Sequence, residues 1–503
     1  MSALILIASL LQGPDLGEIE QTLKGAVDRD GFENGAYAAA RTLASIPGED
    51  AMGIRLRMFD KKMETYNGVF LRDWFYSGMQ KATSLKESEM LLNAAASQKN
   101  SLLLRLLSVR ALRHSEAPIP SKGILSKNLM LAVAPVRREW QALLGEAYAA
   151  NRIQFPEKEM RQKDEKIRES LMTSGSPWLG HEFVTPISED EEKEIKATAQ
   201  RAKLFEDRSE ALRILSCHSQ TRQSWLESAK DALADSAWGP RTATLQSAQK
   251  ESIVEAVPLI IEALENQSEG GRWPGDLADA LYTLTGNQFG SDAQLWRRWW
   301  QEKGKEFLEQ DQPAKKKPPP DERSASASFF GIPVDSNSLV ILVDGSGSMK
   351  MDKIGDRTCA EAATDEIEAF LDKLAPRTLT NLALISTQPF PAFKKSKRNS
   401  PQARKQALSF LRKSQFRGTS ALVDALIWAQ HLEGVDTILL VSDGGSSSGL
   451  HQYSEHMLEA LIAEYERTGV RIHGICVGPD KRKAAFMGKL AESTGGRVVK
   501  PSG

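Results

Sequence analysis

Short apolar runs of strand character alternate with helix-patterned segments over the last third of the chain. Leu339 to Val343, Leu382 to Ile385, Thr437 to Val441 and Val470 to Val477 are short, apolar and partly β-branched. Runs of this length without polar alternation predict strands buried on both faces. Between them, Ala360–Leu374, Ala421–His431 and Glu455–Glu466 space their apolar residues at the helical period. Strands alternating with helices predict an α/β doubly wound, mostly parallel sheet covered on both faces. The closing stretch Leu490–Val499 adds a helix, a glycine stop at Gly495-Gly496 and a final strand.

The first 310 residues carry a different pattern, helix after helix. Ala36–Ile46 ends at Pro47-Gly48, Glu89–Ser97 is small and apolar on one face, and Leu103, Leu106, Leu107 and Ala111 fall at helical spacing. Asp276 is placed to cap a helix carrying Leu277, Ala280, Leu281 and Leu284, which Gly286 stops. Asp292 precedes another helix, bearing Trp296, Trp299 and Trp300 on one face, an arrangement that suits a core or docking role. Amphipathic helices that cannot bury their faces alone predict an all-α region of stacked hairpins over residues 14–310. It resembles HEAT-type repeats, though without a constant period.

Gln312-Pro313-Ala314-Lys315-Lys316-Lys317-Pro318-Pro319-Pro320 and the Ser/Ala tail to Ser328 mark a linker at residues 311–328. Three consecutive prolines favour a semi-rigid spacer. The α/β domain accordingly spans 329–503. At the other end, Ala3–Leu11 is apolar and followed by Gln12-Gly13-Pro14, too short to cross a bilayer. It suits the core of a secretory signal peptide over residues 1–13 or a buried first helix, with export, periplasmic or extracellular, slightly favoured over a cytoplasmic location. No other segment predicts a membrane span.

Composition narrows the function classes. The 503 residues exceed one core, and a formal net charge of −1 gives no global bias toward nucleic acid or an anionic surface. Three widely spaced cysteines, Cys217, Cys359 and Cys476, indicate no disulfide framework. There is no Gly-x-x-x-x-Gly-Lys-Ser/Thr phosphate loop, and His181-Glu182 lacks the second histidine of a zinc-protease motif. Gly345-Ser346-Gly347-Ser348-Met349 is not a nucleophile elbow.

The chemistry sits at strand ends. The strand Val340–Val343 runs into Asp344-Gly345-Ser346-Gly347-Ser348, Gly418-Thr419-Ser420 precedes an apolar helix, and Leu439-Leu440-Val441-Ser442 runs into Asp443-Gly444. Asp344, Ser346, Ser348, Thr419 and Asp443 are five oxygen ligands at strand-to-loop or loop-to-helix junctions. Hard oxygen donors of this kind suit Mg²⁺, with Mn²⁺ or Ca²⁺ as alternatives. In open α/β sheets ligands bind beyond the carboxyl ends of the strands, where strand order reverses, and both aspartates lie at carboxyl ends. Plain helix capping by the same serines and aspartates is the competing explanation.

These motifs resemble those of von Willebrand factor type A domains with an intact metal-ion-dependent adhesion site, over about the last third of the chain. The resemblance implies that Ser346 and Ser348 bind the ion directly. Thr419 would bind directly or through water, and Asp344 and Asp443 mostly through water. It also implies an open coordination position filled by an Asp or Glu carboxylate of a partner protein. Basic residues lead up to Thr419: Lys394, Lys395, Lys397, Arg398, Arg404, Lys405, Arg412, Lys413 and Arg417. Arg417, two residues from the threonine, is the best placed to form a partner-binding rim. The function expected is therefore a non-enzymatic, metal-dependent protein-binding module with a helical scaffold and no nucleic-acid ligand. An accessory subunit of an ATP-driven machine and a hydrolase with its site in the helical half are the alternatives.

Overall fold

The computed structural model describes residues 15–28, 34–59, 66–130, 132, 134–163, 166–167, 189–267, 271–309, 327–449, 454–478 and 480–501. The apolar run at 1–13, His181-Glu182 and the linker up to residue 326 lie outside the described residues. The chain divides into two compact units, Met1–Pro186 and Ile187–Gly503.

The first unit is built on the helices Leu16–Asp28, Asn34–Ser45, Glu49–Phe59, Tyr66–Met79, Leu85–Ala96, Leu102–Arg113 and Ala134–Ala149. Leu85–Ala96 opens on a capping box: the Ser84 hydroxyl accepts the Glu87 N–H and the Glu87 carboxylate accepts the Ser84 N–H. A second buried acid, Glu139, lies 2.9 Å from Arg110 and 2.8 Å from Arg113. Burial would raise this carboxyl, but the two guanidinium groups more than offset it and hold it down at about 2.

The second unit joins helices to a sheet. Its helices are α1 (Glu189–Arg201), α2 (Phe205–Cys217), α3 (Arg222–Leu233), α4 (Trp238–Lys250), α5 (Val257–Glu265), α6 (Trp273–Thr285) and α7 (Ala293–Glu309). Gly286 ends α6 in the left-handed conformation, φ 73°, as its position predicts. Asp276 does not cap that helix, which starts three residues earlier at Trp273 with proline in its first turn. Instead its carboxylate pairs with Arg272 and with Arg471 of the sheet. Asp292 does receive N–H bonds at the start of α7, from Gln294 and Leu295. Trp296 is fully buried, and its indole N–H donates to the Gly290 carbonyl at 2.8 Å.

The sheet comprises β1 (Ser338–Asp344), β2 (Leu379–Ile385), β3 (Pro389–Pro391), β4 (Lys397–Arg398), β5 (Thr437–Ser442), β6 (Arg471–Cys476) and β7 (Val498–Val499). Its order is β4-β2-β1-β5-β6-β7, with β3 also on β2. The pairs β1–β2, β1–β5, β5–β6 and β6–β7 are parallel. Both β3 and β4 run antiparallel to β2, so the sheet is mixed. These short edge strands hold prolines and charges, which blunt a free edge. Five helices connect the strands: α8 (Cys359–Lys373), α9 (Pro401–Lys413), α10 (Leu422–Gln430), α11 (Ser454–Thr468) and α12 (Lys481–Ser493).

Alternation along β1 divides the core in two. Leu339, Ile341 and Val343 pack with Cys359, Ile367 and Phe370 of α8 and with Leu408 and Leu411 of α9. Val340 and Leu342 pack with Leu422 and Leu426 of α10, Leu461 of α11 and Leu490 of α12. All seven residues of β1 are buried, which explains its unbroken apolar run. From β1 the chain goes to β2 on one side and later to β5 on the other. The order therefore reverses between β1 and β5, the place where such sheets bind ligands.

A candidate metal centre at the carboxyl ends of the strands

Three loops meet where β1 and β5 end. The Gly345 N–H donates to the Ile385 carbonyl at 2.8 Å, and the Ala421 N–H donates to Ser386 at 2.7 Å. The N–H groups of Ser447 and Ser448 both donate to the Ser420 carbonyl, at 2.8 and 3.1 Å. The loop after β1, the loop before α10 and the loop after β5 are thus laced together through β2. Gly345 permits one close approach: a Cβ there would lie 2.5 Å from the Ile385 carbonyl oxygen.

Asp344 is the last residue of β1 and 1% exposed. One carboxylate oxygen accepts the Ser346 N–H at 2.9 Å and the other the Ser442 hydroxyl at 2.7 Å. Both donors are neutral, and among the described residues no cationic side chain pairs with this acid. Burial, and then the nearby charge of Asp443, push its carboxyl up from the ordinary range. Ser346 and Ser348 lie partly buried in the turn that follows, their hydroxyl oxygens 2.8 Å apart. Two hydroxyls are therefore held beside a buried acid that lacks a counter-charge.

Asp443 directly follows β5 and is mostly buried. One of its oxygens accepts the Gly445 N–H at 2.8 Å and the other lies 2.7 Å from the Lys483 ammonium of α12. Thr419 sits half-buried in the loop between α9 and α10, after Gly418 with φ 88°. The neighbouring Ser420 hydroxyl is buried with no hydrogen-bond partner. Arg417 is exposed on the same loop.

Two further side chains at this end carry no local sequence signal. Lys483 comes from a helix 40 residues downstream of Asp443. Asp352, after the serine turn, has a carboxylate oxygen 3.3 Å from where a Cβ on Gly478 would stand, and the Asp443 Cβ is equally close to that point.

The donor set fits a hard cation. Asp344, Asp443 and Asp352 bring three carboxyl groups to this end and Lys483 one ammonium, so acids outnumber cations beside the paired hydroxyls. Among the described residues no cluster of three or more His, Cys, Asp or Glu is placed to hold a metal ion. Cys359 and Cys476 are buried and Cys217 is exposed, and none of the three is in a disulfide.

Residues 337–499 match the family model of the von Willebrand factor type A domain. No curated protein sequence matches the chain. Among solved structures, a von Willebrand factor type A protein from Catenulispora acidiphila is similar at 20% identity, covering 33% of this chain and 38% of that one, with a TM-score of 0.28. The chain thus matches well under half of that relative's length. Manganese-loaded TRAP protein from Plasmodium vivax is similar at 19% identity over 30% of this chain and 61% of that one, TM-score 0.23. The RO (RSR) protein of Deinococcus radiodurans is similar at 13% identity over 95% of this chain and 91% of that one, TM-score 0.21. Residues 337–499 are a von Willebrand factor type A domain, carried behind a mostly helical N-terminal region.

Proposed function

We propose that this protein is a non-enzymatic, metal-dependent interaction module that holds an Asp or Glu carboxylate of a partner protein at the end of its sheet. One observation carries the reading: Asp344 is buried with only neutral donors among the described residues, next to the paired hydroxyls of Ser346 and Ser348, at the reversal of strand order. Ser346, Ser348 and Thr419 would hold Mg²⁺, with Mn²⁺ or Ca²⁺ as alternatives, while Asp344 and Asp443 act from behind them. An ion held there would supply the positive charge that binds an acidic oxygen of the partner. The protein's own residues fix the hydroxyls in place and keep the two acids from neutralising the ion fully.

The basic segment that leads up to Thr419 favours an acidic partner: its first part, with β4 paired to Leu379 and Thr380, lies at the end of β2 remote from Asp344, and its last cation, Arg417, lies two residues from Thr419. From residue 373 to 423 the chain carries eleven Lys and Arg and no Asp or Glu. Arg404 and Arg412 pair with Asp372 and Glu368 of α8. Lys394, Lys395, Lys405, Lys413 and Arg417 are exposed with no ion pair among the described residues. Lys394, Lys395 and Lys397 also line an open cavity of about 550 Å³ with Phe393 and Gln406. Such a surface speeds encounter with an acidic protein in a salt-dependent way.

Helices α2, α4 and α6 fit the role of scaffold. Ser209 of α2 bonds to Arg467, Gln246 of α4 to Tyr465, and Arg272, just before α6, to Asp436 and Gly469, which precede β5 and β6 at the strand ends remote from Asp344 and Asp443. The stacked hairpins keep a HEAT-like character in this reading. Affinity capture from the native source in Mg²⁺, in EDTA, and with Asp443→Ala tests the function. A partner lost in both controls, and released by neutralising one of its own acids, is expected. A catch indifferent to chelation contradicts the proposal.

A further inference from the structure

We propose that Lys483 is a resident counter-cation of this centre, which competes with a divalent ion for Asp443 and so sets how tightly the ion is held. The inference rests on the metal-binding reading above.

Lys483 lies in the first turn of α12, whose N-cap Asp480 accepts the N–H groups of Arg482 and Lys483. Its ammonium donates to one Asp443 oxygen at 2.7 Å, while Gly445 N–H occupies the other. The approach is built into the loop. A Cβ on Gly444 would lie 2.8 Å from the Lys483 carbonyl oxygen. One on Gly445 would lie 2.6 Å from the ammonium and 3.0 Å from Asp443. Two residues without side chains thus let the lysine cross the loop and reach the acid. Its helix neighbours do nothing comparable: Arg482 is 95% exposed and reaches only Asp480, at 3.9 Å.

The two acids are therefore unequal. Asp344 receives only neutral donors, whereas Asp443 is already neutralised from within the protein. A cation drawn to Asp344, Ser346 and Ser348 meets a fixed positive charge on the Asp443 side. Either the ammonium stays and repels it, or the ammonium leaves for solvent and its contact is lost. Lys483 is 38% exposed, so a route outward exists. Both outcomes weaken ion binding, and a unit charge a few ångströms from a divalent ion in a partly wet site changes affinity by about tenfold.

Titration of the full chain with Mn²⁺, followed by the electron paramagnetic resonance signal of the free aqua ion, tests this. Lys483→Met is expected to bind Mn²⁺ about tenfold tighter than wild type, and Lys483→Arg, which keeps the charge, to stay within about twofold of wild type. Uptake by Lys483→Met alone would also support the proposal. Equal or weaker binding by Lys483→Met than by wild type overturns it and leaves the metal reading standing, as does tighter binding by Lys483→Arg equal to that of Lys483→Met. No Mn²⁺ uptake by wild type or either variant removes both.

Discussion

Asp344 shows how a single residue binds sequence to chemistry. Its burial follows from ending a strand that is apolar on both sides, and the turn after it must deliver two serines within two and four positions. Those constraints are local, so Asp344, Ser346 and Ser348 stand out in the sequence as candidates, and Thr419 and Asp443 do so from the separate patterns of their own junctions. Ser346→Ala should leave the fold intact and remove the stabilisation that Mg²⁺ gives. At a hundred times its dissociation constant an ion adds about 2.7 kcal/mol. Thermal unfolding with and without Mg²⁺ measures this, and an equal shift in wild type and variant contradicts it. Gly345→Ala should destabilise by about 1–3 kcal/mol through overpacking, because its Cβ would meet the Ile385 carbonyl and the Leu384 side chain. Denaturant midpoints report that loss. Lys483 and Asp352 escaped the sequence because nothing near them in the chain announces a role; only the packing of α12 and the turn after β1 brings them to the site.

Elements with a strong hydrophobic period were legible and those without it were not. Expected strands at Leu339–Val343 and Thr437–Val441 are observed as Ser338–Asp344 and Thr437–Ser442, and expected helix Ala360–Leu374 as Cys359–Lys373. The two-residue β4 and the proline-flanked β3 carry too few residues to show alternation, yet they make the sheet mixed. The end of α10 holds a feature no pattern could reveal. His431 lies 3.2 Å from Glu206 of α2 and 2.5 Å from Glu464 of α11. Its bonds to Glu206 and then to Glu464 raise its pKa to about 9, above the value near 6.5 of the unfolded chain. Its contribution to stability is therefore complete below pH 6.5 and disappears as pH rises through 9. Unfolding curves between pH 7 and 10 should show a loss that His431→Gln does not share; a parallel decline in both would refute the assignment.

Across the whole second unit, helices and sheet are held together by buried polar bonds. The Ser209 hydroxyl donates to the Arg467 carbonyl at 2.9 Å, Arg272 to the carbonyls of Asp436 and Gly469, and Arg467 to Glu210 at 3.0 Å. Gly239 lets α4 approach so closely that a Cβ would stand 2.0 Å from the Arg467 carbonyl oxygen. These contacts join residues more than 160 positions apart, which is why composition and period gave no sign of them. Arg467→Met removes the guanidinium paired with buried Glu210 and should cost about 3–5 kcal/mol. Hydrogen exchange should then show α2 and β5 losing protection together, and independent opening of the helices would contradict a single cooperative unit. The centre itself is tested most directly by calorimetric titration of the full chain with Mg²⁺. One ion per chain is expected in wild type and none in the Ser346→Ala/Ser348→Ala double variant; no uptake by wild type, or uptake unchanged by the double variant, would contradict a cation held by these hydroxyls.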